Sequence, residues 1–121
     1  MPDIQDLRTR YLSALEAVSG ASARTIAALQ LAQHARDMTR DVVLQGRPVA
    51  DLQNVIEPQP ARASLIDALA ELERTRHDAQ RLLFQVLHSE GQTLADIGRM
   101  WGISRQLVSR LVNEPDPSPV R

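Results

Sequence analysis

The sequence predicts an all-α protein in which long N-terminal helices precede two short C-terminal helices. Apolar residues recur at intervals of three and four over long stretches, which is the spacing of one face of a helix. No stretch of useful length alternates between apolar and polar residues as a half-buried strand would. The chain has 121 residues, of which 43% are hydrophobic but only 2% aromatic. The core must therefore be aliphatic.

The first predicted helix covers residues 3–45, and Asp3 can cap it or act as an acid of its first turn. Its apolar stripe is formed by Ile4, Leu7, Tyr11, Leu15, Val18, Ile26 and Leu29. Gly20 lies inside this stripe and costs about 1 kcal/mol relative to alanine in a helix. Ser19 and Ser22 beside it can bond the backbone in non-helical ways. The helix either kinks there or divides into two antiparallel pieces, and we favour a break.

The middle of the chain predicts a short helix, a linker and a second long helix. Gly46 and Pro48 end the first helix, residues 48–56 can form a short helix, and the prolines of "EPQP" at 57–60 indicate a linker. A helix is then expected from about Arg62 to His88, with Gly91 as its C-cap residue. Its seam has the 3.5-residue repeat of a coiled coil and consists of Leu65, Leu69, Leu72, Ala79, Leu83 and Val86.

Other polar residues of the long helices give no sign of a metal or catalytic site. Arg76 fills the missing place in the seam, and we expect it to lie at a solvated edge, because a buried arginine would need a carboxylate partner. His77 and His88 share a helix face with Glu73, and we expect these histidines, like His34, to be surface residues. No base stands beside a nucleophile. We expect no enzymatic activity, metal or cofactor.

Composition and charge limit the classes of partner. The chain has no cysteine and a net charge of −1, so a reducing cytoplasm fits and non-specific binding to polyanions is disfavoured. No apolar run is long enough to span a membrane, and the first ten residues do not resemble a signal peptide. We expect a soluble, cytoplasmic protein. Residues 91–113, however, hold three arginines against one aspartate, a local charge of +2.

Residues 91–113 have the pattern of a helix-turn-helix. Thr93 can cap the first helix, with Asp96 three residues later as in a capping box. Gly102 allows a tight left-handed turn, and Ser104 can cap the second helix. Gly98 is small where two helices would cross. We expect the inward-facing residues to be Leu94, Ile97, Trp101, Ile103, Leu107, Val108, Leu111 and Val112.

The opposite face of the second helix carries side chains that can bind DNA. Arginine can donate two bonds to guanine O6 and N7, glutamine can pair with adenine N6 and N7, and serine can reach a base or a phosphate. The start of a helix adds partial positive charge beside the phosphates. The predicted DNA-binding residues are Arg99, Ser104, Arg105, Gln106, Ser109 and Arg110.

The segment "TLADIGRMWGISRQLVSRL" resembles the helix-turn-helix of the region-four class, found in bacterial sigma factors and in sigma-like actinobacterial regulators. Residues 94–98 match the opening of that family's first helix, and residues 102–105 match its turn and the start of its recognition helix. The resemblance implies that Arg105, Gln106, Ser109 and Arg110 face the groove. It covers only residues 92–113, and no core-binding sigma region precedes it, which favours a stand-alone regulator.

We therefore expect a sequence-specific DNA-binding transcriptional regulator that acts as a homodimer on double-stranded DNA. Residues 1–90 would form a helical oligomerisation or sensing region, 91–113 the DNA reader, and 114–121 a disordered tail. The seam of the second long helix would join two chains, because so small a chain cannot easily bury it alone. Two readers about one helical turn apart would also bind DNA better than one. Two alternatives remain. One is a helical adaptor for RNA polymerase or another regulator, and the other is the DNA-binding antitoxin of a toxin–antitoxin pair.

Overall fold

The structure, a computed structural model, describes residues 3–115 of the chain and leaves aside the side chains of residues 54 and 55. Residues 3–115 contain no strand, so the predicted all-α class is confirmed. No helix within them is both long and apolar enough to cross a bilayer. Most of the predicted tail, residues 116–121, lies outside the described part. The helices are α1 (Ile4–Leu44), α2 (Ala50–Ile56), α3 (Pro58–Ser89), α4 (Leu94–Trp101) and α5 (Arg105–Val112).

By its packing the chain divides into two compact units. The described residues of the first unit are 3–17 and 75–115, and the second unit is Val18–Arg74. The first unit thus contains the start of α1, the end of α3, and helices α4 and α5. The second unit contains α2 and the rest of α1 and α3. The sequence predicts a division at residue 90 between an oligomerisation or sensing region and a DNA reader. That division concerns function and not packing, and it stays a prediction.

The predicted break of the first helix at Gly20 is wrong, because α1 continues from Ile4 to Leu44. The Thr25 hydroxyl donates to the Ala21 carbonyl at 2.8 Å, and the Arg24 guanidinium lies over Gly20, within 3.4 Å of the point where a Cβ would stand. Ala21 is fully buried. Glycine's cost of about 1 kcal/mol is small beside the packing of a long helix.

The predicted linker at 57–60 is also wrong, whereas the predicted short helix is confirmed as α2. Glu57 alone joins α2 to α3, with a left-handed φ of 52°, and α3 begins at Pro58. Prolines fit here because the first N–H groups of a helix have no intrahelical partner. Two prolines therefore start this helix, where the sequence suggested that they would prevent one. At the other end Gly91, as predicted, takes a positive φ of 105°.

In Val18–Arg74, α1 and α3 contact each other through small residues. The Thr25 hydroxyl lies 3.2 Å from the Ala68 carbonyl oxygen, and Arg24 pairs with Glu71 at 2.8 Å. The buried positions of α1 here are Ala21, Thr25 and Val42. The predicted α1 stripe is therefore wrong in its second half, because the large residues Ile26 and Leu29 are left exposed. In the first half it is wrong at Leu15, which is exposed while the neighbouring Ala14 is buried.

The unit formed by 3–17 and 75–115 contains the core of the C-terminal helices, and this core is built around the aromatic Phe84, whereas the composition predicted a purely aliphatic core. Phe84 of α3 is completely buried, with Ile97 of α4 and Val108 of α5 against it. The α3 seam predicted from spacing does not include Phe84, because a single seam describes one helix face and α3 is buried on two faces here. Arg76 is exposed, as expected. The buried residues of α3 are Thr75, Ala79, Arg81, Leu82, Phe84 and Val86, so of the predicted seam only Ala79 and Val86 belong to this set.

Candidate nucleic-acid interface

The first short helix begins as the sequence predicts. The Thr93 hydroxyl accepts a hydrogen bond from the Asp96 backbone N–H at 3.0 Å, which satisfies one of the unpaired donors of the first turn of α4. The Asp96 carboxylate turns instead to the Arg99 guanidinium, its partner one turn later. Asp96 is therefore both a favourable acid at a helix start and the counter-ion of a predicted DNA-binding residue.

A close approach of backbone at Gly98 fixes the angle between α4 and α5. A Cβ on Gly98 would lie 2.8 Å from the Ile103 carbonyl oxygen, and the Ile103 N–H donates to the Gly98 carbonyl at 3.0 Å. Gly102 between them has a φ of 68°, a conformation that costs glycine little. The predicted roles of Gly98 and Gly102 are both confirmed.

The second short helix also begins at its predicted cap. The Ser104 hydroxyl accepts from the Leu107 N–H at 3.1 Å. Val108 is completely buried and Leu111 nearly so. Leu107, Val112 and Ile103 pack against the same core cluster. One face of α5 is thus held against α3 and α4, as predicted.

The opposite face of α5 presents the polar residues that the sequence singled out. Arg105, Gln106 and Arg110 are exposed, and Ser104 is exposed at the cap position. Gln106 and Arg110 are four residues apart and so lie on the same side of the helix. Ser109, which the sequence also predicted on this exposed face, is instead half-buried. The Asn113 side-chain amide donates to the Ser109 carbonyl at 2.8 Å. Asn113 therefore belongs to this surface, although the sequence did not point to it.

The structure gives Arg99 a partner that the sequence did not predict, and it corrects the expectation for Trp101. Arg99 is exposed on α4, with its side chain 72% accessible, but its guanidinium is engaged by Asp96. Trp101 was expected to be a core anchor, and it is 46% exposed. Only part of its ring contacts the core, edge-on to Phe84 with ring centroids 5.6 Å apart. The neighbouring Met100 is 61% exposed.

A buried charge network supports the end of α5, and the sequence did not reveal it. Arg81 of α3 is 1% exposed and donates to the Asp78 carboxylate at 2.5 Å. The Glu114 carboxylate, just after α5, lies 3.9 Å from Arg81 Nε and 3.0 Å from His77 Nε2. Glu114 thus belongs to the folded unit, although the sequence assigned it to the tail. The signal that could have indicated this was the stretch 82–87, which is apolar except for Gln85 and so is typical of a helix buried on more than one face.

No group of three or more potential metal ligands comes together within residues 3–115. Comparisons with protein-family models, with curated proteins and with solved structures each gave no match for this chain.

Proposed function

We propose that this protein is a sequence-specific DNA-binding transcriptional regulator, which acts as a homodimer and inserts α5 into the major groove. The observation that carries the proposal is the division of α5 into two faces. Its apolar face is buried against Phe84 and Ile97, while Arg105, Gln106 and Arg110 are exposed on the other. A helix of this kind, fixed by a second helix across a short turn, is the reading element of helix-turn-helix proteins.

We propose different roles for these side chains, according to their positions. Arg105 and Gln106 form the first turn of α5, which is the part of a recognition helix that reaches base edges, and both have bidentate partners among the bases. Arg110 lies one turn later. Ser104 and Arg99 would contact phosphates, which set the register of a protein on DNA without reading its sequence.

The resemblance of residues 92–113 to the region-four helix-turn-helix supports the same assignment. Thr93 caps the start of α4 and Gly102 takes a left-handed conformation, at the positions where the resemblance places the first helix and the turn. The local charge of +2 over 91–113, in a chain of net charge −1, concentrates attraction for phosphates on this one element.

The proposal is tested by selection of genomic fragments on the immobilised protein, followed by fluorescence anisotropy of the enriched sequences at several salt concentrations. A DNA reader enriches a defined motif, and log K falls linearly with log salt. The control is the full chain with Arg105 and Gln106 both changed to alanine, which keeps the core and loses the enrichment. Failure of the wild-type chain to enrich any motif would contradict the proposal.

A second candidate function has one specific observation in its favour. Met100 and Trp101 expose large apolar surface on α4, and exposed tryptophan is typical of protein-binding hot spots. We propose as the alternative an adaptor that docks this surface on RNA polymerase or another regulator. Docking through apolar surface responds little to salt, so the same salt titration separates the two functions.

A further inference from the structure

Of the large aliphatic side chains exposed on α1 and α3 within Val18–Arg74, four flank the contact between the two helices. Ile26 is 57% exposed, Leu29 is 43% exposed, and Ile66 and Leu69 are each 45% exposed. They are exposed because the contact between the two helices uses the small residues Thr25 and Ala68. Concentrated apolar surface of this kind marks interaction sites.

The four side chains lie on one side of the helix pair. Arg24 pairs with Glu71, and Thr25 pairs with Ala68. The residue number on α3 decreases as the residue number on α1 increases, so the two helices run antiparallel. Each exposed residue directly follows a more buried one, as Leu69 follows Ala68. Two antiparallel helices are related by a two-fold axis that is perpendicular to the plane containing both helix axes, and rotation about it leaves each side chain on the same side of that plane. Equivalent positions therefore lie on the same side. We call Ile26, Leu29, Ile66 and Leu69 the aliphatic face.

The α3 row through this face is complementary to itself. Arg62, Ile66, Leu69 and Glu73 follow one another at intervals of four, three and four, and Arg62 and Glu73 are both exposed. The apolar pair is thus flanked by opposite charges at equal distances. When two copies of such a row lie antiparallel, Arg62 of each faces Glu73 of the other, and Ile66 faces Leu69.

The α1 row has the same spacing without the charges. Ser22, Ile26, Leu29 and Gln33 also follow at intervals of four, three and four. Its polar ends would lie opposite each other in the same two-fold arrangement and would bring no like charges together. An apolar centre with polar ends is the usual composition of an interface between proteins.

We propose that the aliphatic face binds the same face of a second copy of this chain, with the α3 helices antiparallel about a two-fold axis between Ile66 and Leu69. Identical faces that meet in this way form a closed dimer. The inference rests on the homodimer of the proposed function and names its surface. It keeps only Leu69 of the seam expected from the sequence, since Leu65, Leu72 and Val86 of that seam are buried or half-buried within the chain itself.

The inference is tested by sedimentation equilibrium of the full chain without DNA. We expect a dimer for the wild type and a monomer with unchanged helicity for Leu69→Glu and for Ile26→Glu. Leu31→Glu is the matched control, because Leu31 is a 72% exposed residue of the same α1 segment outside the aliphatic face, and it should remain a dimer. A monomeric wild type, or a dimer that survives both changes on the face, would overturn the inference.

The charges at the ends of the α3 row test the antiparallel arrangement separately. Arg62→Glu and Glu73→Arg should each weaken the dimer about two- to ten-fold, because each places like charges opposite one another at both ends. The combined variant restores opposite charges and should return to within about two-fold of the wild type. A combined variant as weak as the two single changes together would contradict this arrangement. None of these measurements involves DNA, so a stable dimer that binds no DNA would count against the reader and not against this interface.

Discussion

Gly98 and Ile103 come so close that no other residue fits at position 98 without movement of the backbone: a Cβ there would lie 2.8 Å from the Ile103 carbonyl oxygen. That oxygen belongs to the turn between α4 and α5 and cannot move as the end of a flexible side chain can. The contact sets how α5 leaves the turn and so how its outer face is presented.

Gly98→Ala should therefore destabilise the protein by about 1–3 kcal/mol, the range of overpacking in a tight site. Gly20→Ala is the matched control, since both glycines are helical and the nearest atom at Gly20 is the mobile Arg24 guanidinium, at 3.4 Å. That change should stabilise the protein by up to about 1 kcal/mol through helix propensity. Urea unfolding followed by circular dichroism measures both. Equal effects of the two changes would show that the close approach at Gly98 has no energetic weight.

Glu114 should contribute to stability because it faces both His77 and the buried Arg81. Glu114→Gln removes the charge opposite Arg81, and we expect a loss of about 1–2 kcal/mol, reduced from the cost of breaking a fully buried pair because the Glu114 side chain is 31% exposed. Glu90→Gln, which removes a more exposed pair with Arg8, should change stability by less than about 0.5 kcal/mol. Thermal unfolding of the two variants compares them directly, and a smaller loss for Glu114→Gln than for Glu90→Gln would contradict the role of the network.

Ser104 should matter for the start of α5 because its hydroxyl accepts from the Leu107 N–H. Ser104→Ala should cost about 1 kcal/mol, the usual value of a lost N-cap, whereas Ser104→Asp keeps an acceptor and should cost little. The aspartate variant should nevertheless bind DNA more weakly than the wild type, since it adds a negative charge where a phosphate would approach. Unfolding and DNA anisotropy of the same two variants separate the effects. If the Ser104→Asp variant binds DNA as tightly as the wild type does, position 104 does not lie near the phosphates.

The parts of the fold that local chemistry determines could be predicted from the sequence. The caps at Thr93 and Ser104, the turn at Gly102 and the buried face of α5 depend on neighbours within a few residues, and each is found where expected. Spacing alone could not choose between alternative apolar stripes on the long helices. The choice of Ala21 and Thr25 over Leu29 depends on how closely α1 and α3 approach, which is a tertiary property.

The candidate site shows the same division. The exposed Arg105, Gln106 and Arg110 follow from the period of α5, and the sequence predicted them. The network of Arg81 with Asp78 and Glu114 joins α3 to the residue beyond α5. Contacts between residues so far apart in the chain leave no periodic signal, and a buried arginine is the opposite of what composition suggests.

The outer face of α5 is tested most directly by comparing two arginines of the same unit. Arg105→Ala should cost about 1–3 kcal/mol per half-site and relax the preference at one base pair, as expected for a lost bidentate contact. Arg99→Ala should weaken binding to all sequences alike and lower the salt slope by at most about one, because Arg99 already has Asp96 as a partner. Asp96→Asn should accordingly tighten binding to all sequences.

Arg74→Ala, which removes an exposed arginine of α3 in Val18–Arg74, is the control and should leave affinity unchanged. Anisotropy titrations on the selected motif and on its single-base variants, with circular dichroism as the check on folding, distinguish these effects. If Arg105→Ala binds every variant as tightly as the wild type does, α5 does not read bases, and the exposed Trp101 surface becomes the better candidate for function.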